Sequence, residues 1–201
     1  MSLFPLLRLT TRLRRLTHCN GYGVHSPFAY EFLAQVVYER TPFYAFPALQ
    51  KHYPASHALH KSRQLKCREF LFRLANYVHP QIIRIYGTLP EAAHDYLLAA
   101  CLHAKITHET NTPQRASTAH QKELIIIAPD TPHALTLSLA TAPSTPHSAC
   151  LICGIYSSKR NLTTWQQATS SPTSAVTFDL YHFGLIFYDH TKPTQHYLIN
   201  F

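Results

Sequence analysis

From residue 82 onward, the chain alternates short apolar runs with stretches in which apolar residues recur every three or four positions. The short runs have the length of strands and lie at residues 82–86, 104–108, 123–128 and 150–155. The stretches with helical spacing lie at residues 90–103, 131–140 and 161–169. Strand, helix and strand in succession form crossover units. The pattern therefore predicts a parallel sheet covered by helices.

The alternation changes near the carboxyl end, where strand-like runs follow one another with little room for helices. These runs lie at residues 175–180, 184–188 and 196–201. Lys192-Pro193-Thr194, between the last two runs, is compatible with a turn and too short for a crossover helix. The sequence therefore predicts that 184–188 and 196–201 pair as an antiparallel hairpin.

The first part of the chain is patterned for helices. A basic amphipathic helix is predicted from a leucine stripe, Leu6, Leu9, Leu13 and Leu16, and an arginine stripe, Arg8, Arg12 and Arg15. A second helix, 27–40, begins at Ser26-Pro27, and residues 41–58, rich in Pro, Tyr and Phe, are predicted to be a connecting loop. The next helix, 62–77, would expose Lys66, Arg68 and Arg73. We divide the chain into a helical extension with its connecting loop, 1–61, and a sheet domain, 62–201.

Composition and charge restrict the class of protein without identifying a function. The chain has 201 residues, 46% hydrophobic and 14% charged, which suits one globular domain with an extension. No run reaches about 18 apolar residues, so we expect no membrane span. The formal net charge of +8 arises in residues 1–84, which hold 12 Lys or Arg against three acids. The predicted amphipathic helix that carries the leucine and arginine stripes is called the basic arm here. It either binds nucleic acid or packs its leucine stripe on the body, and we favour packing.

Cysteine and histidine residues follow no pattern of a metal site or a disulfide framework. Five cysteines are an odd number at irregular spacing, and the start of the chain lacks the order of a secretory signal, so we expect a reducing cytoplasm. Cys150 and Cys153 have the spacing of half a zinc or redox site, but no second pair accompanies them. We interpret both as buried core residues. No two histidines have the spacing of a hydrolytic zinc site, so no metal is expected.

The turn after the first predicted strand is the sequence feature that points to a ligand. Gly87 follows that strand, and Glu109 ends the next strand 22 positions later. In nucleotide-binding α/β folds, a glycine here lets the backbone approach the ligand, and an acid about 20 residues later accepts ribose hydroxyls. A single glycine followed by Pro90, which has no N–H, is a reduced form of this turn.

Four segments spread over nearly the whole chain carry a resemblance to a known family. They are GVHSPF at 23–28, FLFRLANYVHP at 70–80, VTFDLYHFGLIF at 176–187 and QHYLINF at 195–201. Through them the chain resembles bacterial class I S-adenosylmethionine-dependent methyltransferase-like proteins. The resemblance implies a three-layer Rossmann-like fold, mostly parallel with a C-terminal antiparallel hairpin. It also implies S-adenosylmethionine as cofactor, an unidentified methyl acceptor, and Gly87, Thr88 and Glu109 as cofactor contacts.

The middle of the chain departs from that family's pattern. The acids and the glycine expected there are replaced by Ile85, Glu91, Ala128-Pro129 and Cys153-Gly154. Asp130 lies two positions beyond the place of one lost acid, and 13 residues separate Glu109 from Glu123, too few for another helix and strand. We therefore expect a shortened methyltransferase fold with weak or lost activity. The alternatives are a non-catalytic scaffold or interaction protein with this fold, and nucleic-acid binding through the basic arm.

Overall fold

The computed structural model describes residues 24–53, 59–110, 121–142 and 145–201, together with Thr11. The leucine and arginine stripes lie outside these residues. The helices are α1 (Pro27–Phe32), continued by a π-helical turn (Leu33–Val37), α2 (Phe46–His52), α3 (Leu59–Val78), α4 (Glu91–Ala100), α5 (His133–Thr141) and α6 (Lys159–Thr169). The strands are β1 (Ile82–Tyr86), β2 (Lys105–Glu109), β3 (Glu123–Ile127), β4 (Ala149–Cys153), β5 (Val176–Asp179), β6 (Phe183–Phe187) and β7 (Gln195–Leu198).

The described strands form one sheet of seven strands, in the order β2-β1-β3-β4-β6-β5-β7. β1 pairs in parallel with β2 on one side and with β3 on the other, and β3 pairs in parallel with β4. β6 lies between β4 and β5 and runs antiparallel to both. The chain therefore has an α/β fold with a mostly parallel sheet, as the alternating pattern predicts.

Helices cover both faces of the sheet, which explains why its central strands are largely apolar, with Arg84 of β1 and Glu123 of β3 as charged exceptions. Ile83 and Ile85 of β1 pack with α1, α3 and α4 on one face. Tyr86, Ile125 and Ile127 pack with α5 and α6 on the other face. Every residue of β3 and of β4 is buried. Strands buried on both faces favour continuous apolar runs, and these two strands are such runs apart from Glu123.

The predicted pairing of the last two strands is wrong, although an antiparallel segment is present. β6 forms its hairpin with β5, and β7 pairs in parallel with β5, with Val176 opposite Gln195 and Asp179 opposite Leu198. Both edges of β6 are occupied, by β4 and by β5, so the free edge at this end of the sheet belongs to β5. The chain after β6 passes the amino end of β5 and continues beside it.

α2 lies within the stretch that the sequence predicts to be a loop. Phe46 at its start is buried, and its ring lies 5.0 Å from the ring of Phe72 and 5.9 Å from that of Tyr96, between centroids. Pro47 occupies the first turn, where its missing N–H costs no hydrogen bond. Packing of the aromatic ring against α3 and α4 therefore stabilises a helix that the local composition does not favour.

Arg73 of α3 is buried, contrary to the prediction that it is exposed. Its side chain is 4% exposed, and its Nε donates a hydrogen bond to the Val36 carbonyl at 2.8 Å. Val36 lies in the π-helical turn, near a helix end where carbonyl oxygens lack helical partners. Arg73 supplies that partner and ties α3 to the helix after Ser26, which packs in the same core as the sheet.

Candidate functional site

The carboxyl ends of β1 and β3 form the candidate site. Open α/β sheets bind ligands at the carboxyl edge, in the crevice where the strand order reverses. Here the chain leaves β1 to form β2 on one side and returns to form β3 on the other side. The residues that follow these two strands, Gly87-Thr88 and Ala128-Pro129-Asp130, therefore flank the reversal point.

Asp130 fills the space between these two loops. The backbone N–H of Thr88 donates to its carboxylate, with Oδ1 and Oδ2 each 3.1 Å from the nitrogen. This hydrogen bond stabilises the ionised form and holds the pKa of Asp130 below its usual value of 3.8. The Thr131 hydroxyl donates to the Tyr86 carbonyl at 3.0 Å and fixes the same loop. The backbone donor of the predicted cofactor turn is therefore used within the chain.

Gly87 permits this close approach. Its φ is +80°, a conformation that residues with a Cβ rarely adopt. An added Cβ would lie 2.5 Å from Oδ1 of Asp130 and 2.6 Å from Oγ1 of Thr131. In a nucleotide site, the glycine would leave this space for a ligand. In this chain the space is taken by the side chains of the β3 loop.

Glu109 takes part in an ion cluster on the sheet face that α5 and α6 cover elsewhere. It lies beside Tyr86, its register partner at the end of β1. Its Oε1 accepts from Nη1 of Arg84 at 3.0 Å, and Nη2 of Arg84 lies 3.2 Å from Oε1 of Glu123. The side chain of Glu123 is fully buried, so it requires a cation beside it. The predicted ribose acceptor is therefore committed to a salt bridge that links β1, β2 and β3.

A cavity of about 310 Å³ lies beside the turn, on the face covered by α3 and α4. Its wall is mainly apolar and includes Leu71, Leu89, Pro90, Ala93, Pro129 and Phe183. Arg63 and Arg68 of α3 also line it, and no Asp or Glu among the described residues does. Of the three predicted cofactor contacts, Thr88 lines this cavity, whereas Gly87 and Glu109 do not.

A second cavity, of about 350 Å³, lies on the other side of the β3 loop and is more polar. Asp130, His133 and Arg160 are among its lining residues. The ring of His133 is hydrogen-bonded to the hydroxyl of Thr164, which joins α5 to α6. Asp130 lines this cavity and not the apolar one, so the β3 loop separates two spaces of different character.

An aromatic stack closes the carboxyl edge next to β4 and β5. The rings of Tyr156 and Tyr181 are parallel to within 7°, with centroids 5.1 Å apart. Asp179 accepts from the Tyr156 hydroxyl at 2.9 Å and from the Tyr181 N–H at 3.1 Å. Tyr181 has a φ of +67°, which is uncommon for a bulky residue. These contacts hold the β5–β6 turn.

The structure places Gly87 and Thr88 at the reversal point, and Glu109 ends the neighbouring β2 with its side chain paired to Arg84. Sequence reasoning misses the role of Asp130, which lies 42 positions from Thr88 in the chain. The available signal is the acid displaced by two positions after the third strand. It also misses Arg63 and Arg68, because basic residues on a helix normally face solvent.

Cysteine chemistry at the site is limited. Cys150 and Cys153 are both buried, as the sequence predicts, and burial raises the pKa of the Cys153 thiol. In the part of the chain that the structure describes, no three His, Cys, Asp or Glu side chains are grouped to hold a metal ion. The Cys153 thiol therefore acts as a small apolar side chain in its neutral form.

Comparison with known proteins finds no matching family model, no matching curated protein and no matching solved structure. None of the helices in the described ranges combines the length and apolar character needed to cross a membrane.

Proposed function

We propose that this chain is a Rossmann-like, methyltransferase-type protein that does not use S-adenosylmethionine and acts by binding instead of methyl transfer. The observation that carries this proposal is the position of Asp130, whose carboxylate receives the Thr88 N–H and fills the space beside Gly87. The partner would be a protein or a small molecule. We also assign the chain to the cytoplasm, which fits the free thiols of Cys67, Cys101 and Cys153.

The proposed fold is supported by the sheet and by the four family-like segments. The strand order reverses between β1 and β3, as doubly wound sheets require for a ligand crevice. β3 follows β2 without an intervening strand among the described residues, in line with the shortened middle of the sequence. The segment at 70–80 ends α3 and leads into β1, which is its place in the family.

The residues at the crevice do not fit S-adenosylmethionine. A ligand with ribose hydroxyls and an amino-acid group needs hydrogen-bond acceptors and free backbone donors. Ile85 is fully buried in the core, Glu109 is paired with Arg84, and the Thr88 N–H is paired with Asp130. The wall of the neighbouring cavity is mainly apolar. Each group that would recognise the cofactor is therefore absent or already satisfied.

Isothermal titration calorimetry with S-adenosylmethionine tests the proposal. The wild-type chain is expected to show no binding at micromolar cofactor. Asp130→Ala releases the Thr88 N–H, and Asp130→Asn is its matched control, because asparagine keeps an acceptor oxygen beside the same N–H. Neither variant is expected to bind, since Glu109 remains paired. Micromolar binding by the wild-type chain would overturn the proposal.

A further inference from the structure

The apolar cavity beside the β1 turn remains open even though Asp130 fills the turn itself. Its volume of about 310 Å³ equals that of about ten water molecules at roughly 30 Å³ each. A ligand of about ten non-hydrogen atoms fits this space.

The wall of the cavity favours an apolar ligand. Leu71 and Phe183 are buried in the main core and present their side chains to the cavity, and Leu89 and Pro90 close it from the β1 turn. Cys153 adds a thiol that burial keeps protonated, because burial raises its pKa. An apolar chain or ring that displaces water from these side chains gains the free energy of hydrophobic burial.

One side of the cavity carries positive charge. Burial raises the pKa of the Cys67 thiol in the cavity wall to about 11, and the cations Lys66, Arg63 and Arg68 each act in the opposite direction. Arg63 and Arg68 line the cavity, and no Asp or Glu among the described residues does. These two cations complement an anionic group.

We propose that this cavity binds a small apolar monocarboxylate, with its tail on Leu71 and Phe183 and its carboxylate at Arg63 and Arg68. Arginine pairs with a carboxylate through two parallel N–H donors. A phosphate head group is disfavoured because the turn offers it no backbone donors: the Thr88 N–H is held by Asp130, and Pro90 has none. This inference rests on the proposed function in one respect: the chain must not bind S-adenosylmethionine in this cavity.

Calorimetry with octanoate, which matches the cavity in size, tests the charge requirement. The full chain is expected to bind one octanoate, and 1-octanol about tenfold or more weakly. The Arg63→Gln/Arg68→Gln variant is expected to bind octanoate about tenfold or more weakly than wild type. Lys51→Gln/Lys105→Gln is the matched control, with the same loss of charge at exposed positions outside the cavity, and is expected to bind as wild type does.

A steric variant tests the location. Ala92 is half-buried and lines the cavity, so Ala92→Trp is expected to abolish octanoate binding while the circular dichroism spectrum stays native. The inference is overturned by the absence of octanoate binding, by equal binding of 1-octanol, or by an arginine variant that binds as wild type does. Tighter binding of octyl phosphate would overturn the choice of a carboxylate. Binding of S-adenosylmethionine by the same sample would overturn the proposed function, which separates the two failures.

Discussion

Gly87 and Asp130 are coupled, because the glycine leaves the space that the carboxylate fills. Gly87→Ala places a Cβ 2.5 Å from Oδ1 of Asp130 and forces alanine to a φ of +80°. We expect this change to lower the free energy of unfolding by about 1 to 3 kcal/mol, measured by urea denaturation.

A double-mutant cycle separates the steric cost from the conformational cost. In the Asp130→Ala background the contact with the carboxylate is gone, so Gly87→Ala is expected to cost less, by at least about 0.5 kcal/mol. The same cost in both backgrounds would show that Asp130 does not occupy this space in solution.

Arg84 neutralises a carboxylate that is entirely buried. Arg84→Met leaves Glu123 without its cation, and we expect the free energy of unfolding to fall by about 3 to 5 kcal/mol. Arg84→Met/Glu123→Leu is expected to recover most of this loss, because an apolar pair removes the buried charge. Glu109→Gln, at the exposed end of the cluster, should cost less than about 1 kcal/mol. Urea denaturation checks all three, and a small loss for Arg84→Met would contradict the role of the pair.

At the residue scale, the sequence indicates a turn at Gly87 but does not indicate that Asp130 fills the space beside this glycine. A glycine directly after a buried strand indicates a turn from the local sequence alone, and the positive φ of Gly87 agrees with that turn. The contact of Asp130 with Thr88 depends instead on the parallel pairing of β1 with β3, which places Tyr86 opposite Ile127. No local pattern states which distant loop fills the space beside a glycine. The displaced acid becomes interpretable only when the register is known.

A strand or helix of this chain can be predicted from the sequence when the pattern of its own residues determines its structure, without contacts from distant residues. β3 and β4 are short, buried and, apart from Glu123, made of apolar residues and cysteine, which favours the middle of a covered sheet. The order of β5, β6 and β7 is decided by which edge is free after β6 pairs with β4, a property of the whole sheet. The same reasoning explains α2, whose helix depends on an aromatic contact with residues that are distant in the chain.

The dependence of α2 on tertiary packing gives a prediction at the scale of one element. Phe46→Ala removes a ring that packs between Phe72 and Tyr96, and we expect a loss of about 3 to 5 kcal/mol in the free energy of unfolding. Lys51→Ala on the same helix is the control; its side chain is exposed and the change should lie within about 0.5 kcal/mol. Thermal and urea denaturation measure both. Equal stability of the two variants would contradict the packing of α2.

At the scale of the whole molecule, most of the sheet and the excess positive charge lie in different parts of the chain. Residues 85–201 hold the site and most of the sheet, with 6 Lys or Arg against 7 acids. The excess positive charge belongs to the earlier part, where the arginine stripe adds to the cations of α3. Net charge of this kind governs association and not fold, so the role of the basic arm has to be tested apart from the site.

Two hypotheses for the arm predict opposite results when residues 1–20 are deleted. If the leucine stripe packs on the body, the deletion removes several buried side chains worth about 1.5 to 3 kcal/mol each, part of which is offset by regained chain entropy. The free energy of unfolding then falls by a few kcal/mol. If the arginine stripe contacts phosphates, the full chain binds RNA or DNA with a log-log salt slope of about −2 to −3 for three contacts.

We expect the loss of stability and no salt-sensitive affinity for nucleic acid, measured by thermal unfolding and by titration with RNA at several salt concentrations. Replacing the arginine stripe by glutamine keeps every leucine and should leave the melting temperature near that of wild type. Replacing Leu9 and Leu13 by serine keeps every charge and should lower the melting temperature, because the packing hypothesis requires apolar side chains at these two positions. A truncated chain that melts like the full chain, together with RNA binding that is lost in the truncated chain and in the glutamine variant but kept in the serine variant, would decide for the nucleic-acid hypothesis.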